Sequence, residues 1–248
     1  KKGSDNEFKL SLQKVSNKKY LKLYKIKNNL VDYQNDRLEN SLNFSHEYED
    51  LFFGLKASAY EDLTENNTND EYEYILPDIV LDKNLFSSNK YGYADLQSNL
   101  IFHNYETNKF TKFLINDIDW KYKQINYLSG LKGRLLGKLK NVNYEAKNTS
   151  IYKSDTTHEV FGAIGYLSEI NLFKKINENS KSFLTPKMLL RYAPGHMREE
   201  TGKTRLNHSN VFTLDRLNTN KNFESGLSTT IGFDYELEES NKKLDFSI

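Results

Sequence analysis

Cysteine is absent from the 248 residues, which excludes disulfide scaffolds, thiolate metal sites and cysteine nucleophiles together. Long apolar runs are missing as well. No segment approaches the roughly 18 consecutive apolar residues of a membrane-spanning helix, and the mean hydropathy is −0.75, so a helical membrane protein is excluded. Charge of one sign is lacking: 35 Lys and Arg balance 34 Asp and Glu, leaving +1. That balance provides no field to gather nucleic acid or an acidic membrane surface, and no nucleic-acid partner is expected. Proline occurs only 3 times, so each one must mark a particular place in the chain.

None of these absences excludes a membrane barrel, because barrel strands show only every second residue to lipid and keep the rest polar. What the chain has in plenty points that way. It carries 17 Tyr and 15 Phe despite its polarity, and aromatic and β-branched residues favour strands. In FESGLSTTIGFDYEL, Phe223, Ser225, Leu227, Thr229, Ile231, Phe233, Tyr235 and Leu237 fall on one parity. Glu224, Gly226, Ser228, Thr230, Gly232, Asp234 and Glu236 fall on the other. A period of two sustained over this length predicts one long strand, since a helix would rotate the two sets through each other. At about 3.3 Å per residue it would run about 50 Å, far beyond the 5 or 6 residues of ordinary soluble strands.

Similar alternation recurs at Ala94–Phe102, Leu114–Tyr122 and Val160–Leu172, and Leu42–Tyr48 is joined to Phe53–Ala59 across a short Glu-Asp turn. About a dozen such segments are separated by connections such as TENNTNDE and NENSK, which have turn chemistry. The expected fold is all-β: an antiparallel meander of long strands, part of a transmembrane β-barrel. LSGLKGRLLGKLKNV (128–142) fits a helical and an alternating pattern alike, but its three glycines favour a strand. Pro186 is expected near a strand start and Pro194-Gly195 in a type II turn. Pro77, between Tyr72/Tyr74/Leu76 and Ile79/Leu81, predicts a parity switch at a bulge outside the hydrocarbon band.

Chemistry is sparse. His46, His103, His158, His196 and His208 form no ligand spacing, so no metal is expected. A hydrolytic set of His196 or His208 with Ser209 and Asp215 lacks an oxyanion turn such as GxSxG. The glycines of 130–137 and 162–165 match no phosphate loop and read as bulges or close approaches. ELEES (236–240) reads as a solvated hairpin tip rather than a calcium site. No catalytic residue, cofactor or enzymatic activity is expected. The opening KKGSDNEF shows neither an initiator Met nor a signal peptide, and LDFSI stops in mid-alternation; both ends read as cut from a longer protein.

Several stretches resemble the LptD (OstA) family, the outer-membrane lipopolysaccharide assembly protein, and its alphaproteobacterial-type members most. They are NKKYLKLYKI (17–26), YEYILPDIVLDKNLF (72–86), LKNVNYEAKNTSIY (139–152), LTPKMLLRYAPGHMR (184–198), RLNHSNVFTLDRLN (205–218) and ESGLSTTIGFDYEL (224–237), collinear with the family's barrel region. The resemblance implies that residues 1–248 are a fragment of one outer-membrane barrel domain, without the periplasmic jelly roll and the remaining strands. It also implies lipopolysaccharide transport into the outer leaflet of the cell outer membrane. The partners it implies are lipopolysaccharide, outer-membrane lipid, an LptE-like plug lipoprotein and periplasmic bridge proteins. The family's disulfides have no counterpart here. Glu224, Ser228, Thr230, Asp234 and Glu236 would face the lumen, and Phe223, Leu227, Ile231, Phe233 and Tyr235 would face lipid. A generic porin or receptor barrel is the second reading and an outer-membrane barrel hydrolase the third.

Overall fold

A strand that must show two different faces is built from alternating residues, and the chain forms such strands almost throughout. The computed structural model describes residues 3–29, 31–64, 72–106, 108–177, 180–195, 206–219, 222–239 and 242–247. Among them one short helix, α1 (Tyr20–Tyr24), accompanies β1 (Asp5–Ser11), β2 (Arg37–Tyr48), β3 (Leu51–Asp62), β4 (Tyr72–Ser88), β5 (Gly92–Glu106), β6 (Lys109–Lys121) and β7 (Ile125–Asn126). They are followed by β8 (Leu131–Lys147), β9 (Thr157–Ile170), β10 (Leu172–Asn177), β11 (Ser180–Ala193), β12 (Gly226–Glu239) and β13 (Lys242–Ser247). These strands make one sheet in the order β1-β2-β3-β4-β5-β6-β8-β9-β11-β12-β13, with β7 on β8 and β10 on β11. The architecture is therefore an all-β antiparallel meander. No described helix is long and apolar enough to cross a membrane.

The expected β2–β3 hairpin turns at Glu49-Asp50, with Glu49 at φ 52°, and its register runs from Tyr48 opposite Leu51 to Arg37 opposite Asp62. The ambiguous 128–142 segment lies largely in β8; Gly130 (φ +77°) stands in the bend before it, while Gly133 and Gly137 sit in the strand. Gly133 is needed there: a Cβ would lie 2.0 Å from the Tyr166 hydroxyl, which itself hydrogen bonds the Tyr127 hydroxyl at 3.0 Å. A helix would have pointed these glycines around the axis; a strand stacks aromatic rings on them.

The prolines behave differently from one another. Around Pro77 the partner of Lys56 is Asp78 and that of Ser58 is Ile75, so Leu76 and Pro77 together face Ala57. This is the expected bulge with its parity switch. Pro186, expected near a strand start, instead lies six residues into β11, opposite Phe233 of β12. On its other side β11 pairs β9 up to Lys187–Glu169 and β10 from Leu184–Leu172, in one continuous register. The break between β9 and β10 at Asn171 coincides with the proline, which has no N–H to give to that ladder. Gly195 follows Pro194 at φ +109°, a backbone that favours glycine. Glu236 to Glu239 of the ELEES run form the end of β12, paired to β13 up to Glu239 opposite Lys242, with Glu238 and Glu239 exposed.

The chain divides into two compact units. The first comprises residues up to Lys83 with Leu96–Asn116 and Asn141–Glu159; the second comprises Asn84–Asp95, Asp117–Lys140 and Val160 onward. In the first, Leu21 of α1, Leu38 and Leu63 are buried, with Val15, Ile26, Val31 and Tyr33 around them. Phe113 also packs on Tyr144 and Tyr152, ring centroids 5.4 and 4.9 Å apart. In the second, Ala163, Ala193, Leu214 and Phe223 are buried, with Leu136 and Phe161 packed against them. Gly165 gives that cluster its room, since a Cβ there would sit 2.7 Å from Leu214 Cδ2 and 3.1 Å from Leu189 Cδ1. Gly165→Val is expected to cost about 1–3 kcal/mol by overpacking, read as a lower urea midpoint in detergent micelles. Gly162→Ala, whose Cβ would meet only ordinary contacts from 3.5 Å outward, is expected to stay within about 0.5 kcal/mol of the parent.

Candidate functional site

In an antiparallel ladder, residues directly opposite one another project to the same face, so the register sorts the side chains. In the second unit, Ile164–Tyr192–Leu227, Tyr166–Leu190–Thr229 and Ser168–Met188–Ile231 share one face across β9, β11 and β12. Leu227 and Ile231 are 72 % and 77 % exposed on it, and Ile164, Met188, Leu190 and Tyr192 are exposed too. The opposite face carries Gly165–Arg191–Ser228, Leu167–Leu189–Thr230 and Glu169–Lys187–Gly232. Ser228, Thr230, Asp234 and Glu236 therefore share a face with Arg191, and Leu227, Ile231, Phe233 and Tyr235 point the other way. Asp234 pairs with Lys187 at 2.7 Å and Glu236 with Lys243 at 3.1 Å.

Two members of these sets lie before the strand, which begins only at Gly226 (φ +102°). Phe223, expected beside Leu227 and Ile231 on the lipid-facing side, is instead buried on the Arg191 face. It stacks on Phe161, centroids 5.7 Å apart and planes 9° from parallel. The alternation in the sequence continues through Phe223, but the backbone turns at Gly226 and carries the ring to the other side. Glu224 does lie on the Arg191 face, held by Arg216 at 3.2 Å rather than by a strand register.

The connection from β11 to β12 thus lies over the polar face, and its described residues, 206–219 and 222–225, are fastened at three points. Arg191, fully buried, donates from Nε to the Leu214 carbonyl (2.7 Å) and from Nη2 to the Glu224 carbonyl (2.6 Å), and its guanidinium stands 5.5 Å from the Phe223 ring. Arg216 donates from Nη2 to Thr230 Oγ1 at 2.9 Å. Lys140 on β8, also buried, donates to Asp215 Oδ2 at 2.5 Å and to the Thr219 carbonyl at 3.3 Å. Leu214 and Phe223 supply the apolar contact beneath these bonds. The sequence shows Arg191 on the parity of Leu189, so a charge on the face opposite Leu190 is legible; its acceptors are carbonyls of an aperiodic segment and are not.

The histidines are dispersed. His46 meets Asn6 at 2.7 Å, His103 meets Glu73 and stacks on Tyr105, and His158 meets Asn143 at 2.8 Å. His196 lies outside the described residues. His208 is exposed, the Ser209 hydroxyl donates to Asn207 Oδ1, and Asp215 is taken by Lys140 and by the Asn218 N–H. The structure does not bring His208, Ser209 and Asp215 together as a relay. Among the described residues, no group of three or more His, Asp or Glu side chains is placed to hold a metal ion.

In the first unit the register aligns Phe8–Phe44–Leu55–Ile79 and Leu10–Leu42–Ala57 on one face, and Glu7–Ser45–Gly54–Val80 and Lys9–Asn43–Lys56–Asp78 on the other. Polar side chains of β5, β6, β8 and β9 form a hydrogen-bonded chain of their own. Ser98 donates to Asn116 (2.7 Å), Asn116 and Asn143 both donate to Asn141 Oδ1 (3.4 and 2.6 Å), and Asn143 meets His158. Side chains that satisfy one another in this way tolerate an apolar neighbourhood that isolated amides would not.

Replacing Arg191 by Met is expected to destabilise the fold by about 1–3 kcal/mol, because two buried carbonyls lose their donor. Trypsin should then cut after Arg216, which is buried in the parent; unchanged resistance would show that the connection is held without Arg191. Lys140→Met, which leaves Asp215 unpaired, is expected to cost about 3–5 kcal/mol by urea unfolding. No protein-family model matches the chain, and no curated protein matches it either.

Proposed function

We propose that the chain is part of the wall of an outer-membrane β-barrel, and that this barrel is a lipopolysaccharide translocon of the LptD (OstA) kind. The observation that carries the membrane reading is the row of large apolar side chains left exposed on one face of β9, β11 and β12, with Arg191 and Lys187 on the other. Water-soluble proteins rarely leave a broad apolar patch bare, and moving a Leu or Ile side chain from water to hydrocarbon is worth about 1.5–3 kcal/mol. Strand length agrees. β9, β11 and β12 have 14 residues each, and 14 residues at about 3.3 Å, tilted by about 40°, rise about 35 Å, enough to cross a bilayer core.

The lipopolysaccharide part rests on the collinear stretches that resemble the family, and on chemistry that suits an amphiphile. A polar face solvates sugars and phosphates while the apolar face meets acyl chains. No bond is made or broken, and the driving energy comes from the trans-envelope bridge that the resemblance implies. Plug and bridge proteins are partners on the same ground. A porin-type barrel is the second reading, favoured by one observation: the β11–β12 connection lies on the polar face, as segments that narrow an aqueous channel do.

The single tryptophan offers a direct test. Trp120 shares its parity with Leu114 and Ile118 and lies against Gly137. In vesicles of phosphatidylcholine brominated on the acyl chains its emission is expected to be quenched relative to unbrominated vesicles; equal emission would remove the membrane reading. Ile231→Arg is expected to weaken folding into such vesicles by about 2–4 kcal/mol. Depleting the full-length protein in cells is expected to stop lipopolysaccharide reaching the surface. Surface lipopolysaccharide at normal levels, with quenching intact, would leave the porin reading.

A further inference from the structure

We infer that the polar face of the β1–β4 hairpins carries a binding site for a pyranose ring, centred on Phe52. Three rows of the register build it. Asp5, Glu47, Phe52 and Asp82 form the first, Glu7, Ser45, Gly54 and Val80 the second, and Lys9, Asn43, Lys56 and Asp78 the third. Every other large ring of β2–β4 that the register places at these levels, such as Phe44 and Phe53, points to the apolar side, whereas Phe52 is a phenyl group set among charged and hydroxyl side chains. It is 37 % exposed there.

Gly54 explains how the ring is held. A Cβ at that position would come within 3.2 Å of Phe52 Cε1 and 3.4 Å of Cζ, so the ring lies over the glycine and is supported from below by backbone. The ring borders a recess of about 300 Å³ that Lys9, Asn43, Lys56 and Asp78 line together with the apolar Leu55 and Val80. That volume is at the small end of ligand sites and suits one ring.

A flat aromatic platform ringed by donors and acceptors is complementary to a saccharide in both respects. The axial C–H bonds of a pyranose make an apolar patch that packs on the ring, and its equatorial hydroxyls, each donor and acceptor, reach the surrounding amide, hydroxyl, ammonium and carboxylate groups. Carboxylates outnumber cations in these rows, since Asp5, Glu7, Glu47, Asp78 and Asp82 stand against Lys9 and Lys56, which pair with Glu7 at 2.8 Å and with Glu39 at 2.7 Å. A neutral sugar therefore fits better than a strongly anionic one. The site deepens the transport reading above and rests on it only in requiring that this face be wet. The ring could belong to a free saccharide or to the head of a glycolipid.

The test uses the full chain in phosphatidylcholine nanodiscs, with methyl β-glucoside as the free sugar and octyl β-glucoside as the lipid-linked one, read by saturation-transfer NMR. The expected result is transfer strongest at the axial ring protons. Phe52→Leu, which stays apolar and removes the ring, should weaken binding about tenfold, the scale of one stacking interaction. Phe52→Trp should retain or strengthen it and guards against a folding defect in the first variant. Signal from the octyl probe alone would assign the site to glycolipid heads, and equal signal from both to free sugars as well. No transfer from either probe, or transfer unchanged in Phe52→Leu, overturns the proposal. Trp120 quenching on the same sample distinguishes that failure from failure of the membrane reading.

Discussion

Everything in this fold depends on the pleat: a hydrogen-bonded ladder satisfies each main-chain N–H and C=O while sending successive side chains to opposite sides. Because the ladder takes care of the backbone, the two faces are free to differ as sharply as Ile231 and Arg191 do, one bare and apolar, the other charged and buried. The same rule restricts proline. Pro186 is accommodated where one neighbouring ladder lapses beside Asn171, and the ladder to β12 continues past it.

The polar face is not uniformly polar, and the second unit shows how that is reconciled. Phe161, Ala163, Leu189 and Ala193 would leave an apolar gap among the charges, and the chain covers it with its own Leu214 and Phe223. The cover is secured by a cation on neutral oxygens rather than by a carboxylate. A guanidinium bonded to two carbonyls, with a phenyl ring beside it, gives the connection direction, and the buried Arg216 paired with Glu224 stands close to it. Lys140 and Asp215 supply the conventional ion pair a short way along the same segment.

Much of this was legible in the sequence because strand periodicity is a local signal. The β2–β3 hairpin, the parity switch at Pro77 and the strand through 131–142 follow from which residues stand two apart. What was not legible depends on contacts between distant segments. Phe223 continues the alternation of Leu227 and Ile231 in the sequence, yet Gly226 ends the strand and Phe161, more than sixty positions earlier, captures the ring. Pro186 lies inside its strand rather than near the start for a similar reason: the strand is lengthened by its pairing with β12, which local turn chemistry does not reveal. Gly54 and Phe52 are two residues apart and easily seen, but only the register with Asn43 and Lys9 shows what surrounds them.

The bulge at Leu76-Pro77 has an effect on heredity as well as on shape. It serves as a phase shifter, letting Tyr72 and Tyr74 and then Ile79 and Leu81 occupy the same side although they differ in parity. A one-codon deletion at the bulge would leave a regular ladder with Ile79 and Leu81 still on the side of Tyr72 and Tyr74, whereas a one-codon deletion elsewhere in β4 would turn the residues that follow it to the opposite side. A single-residue loss therefore keeps the two faces at the bulge and reverses them beyond any other point of the strand, so the reading frame of the pleat is inherited along with that of the gene.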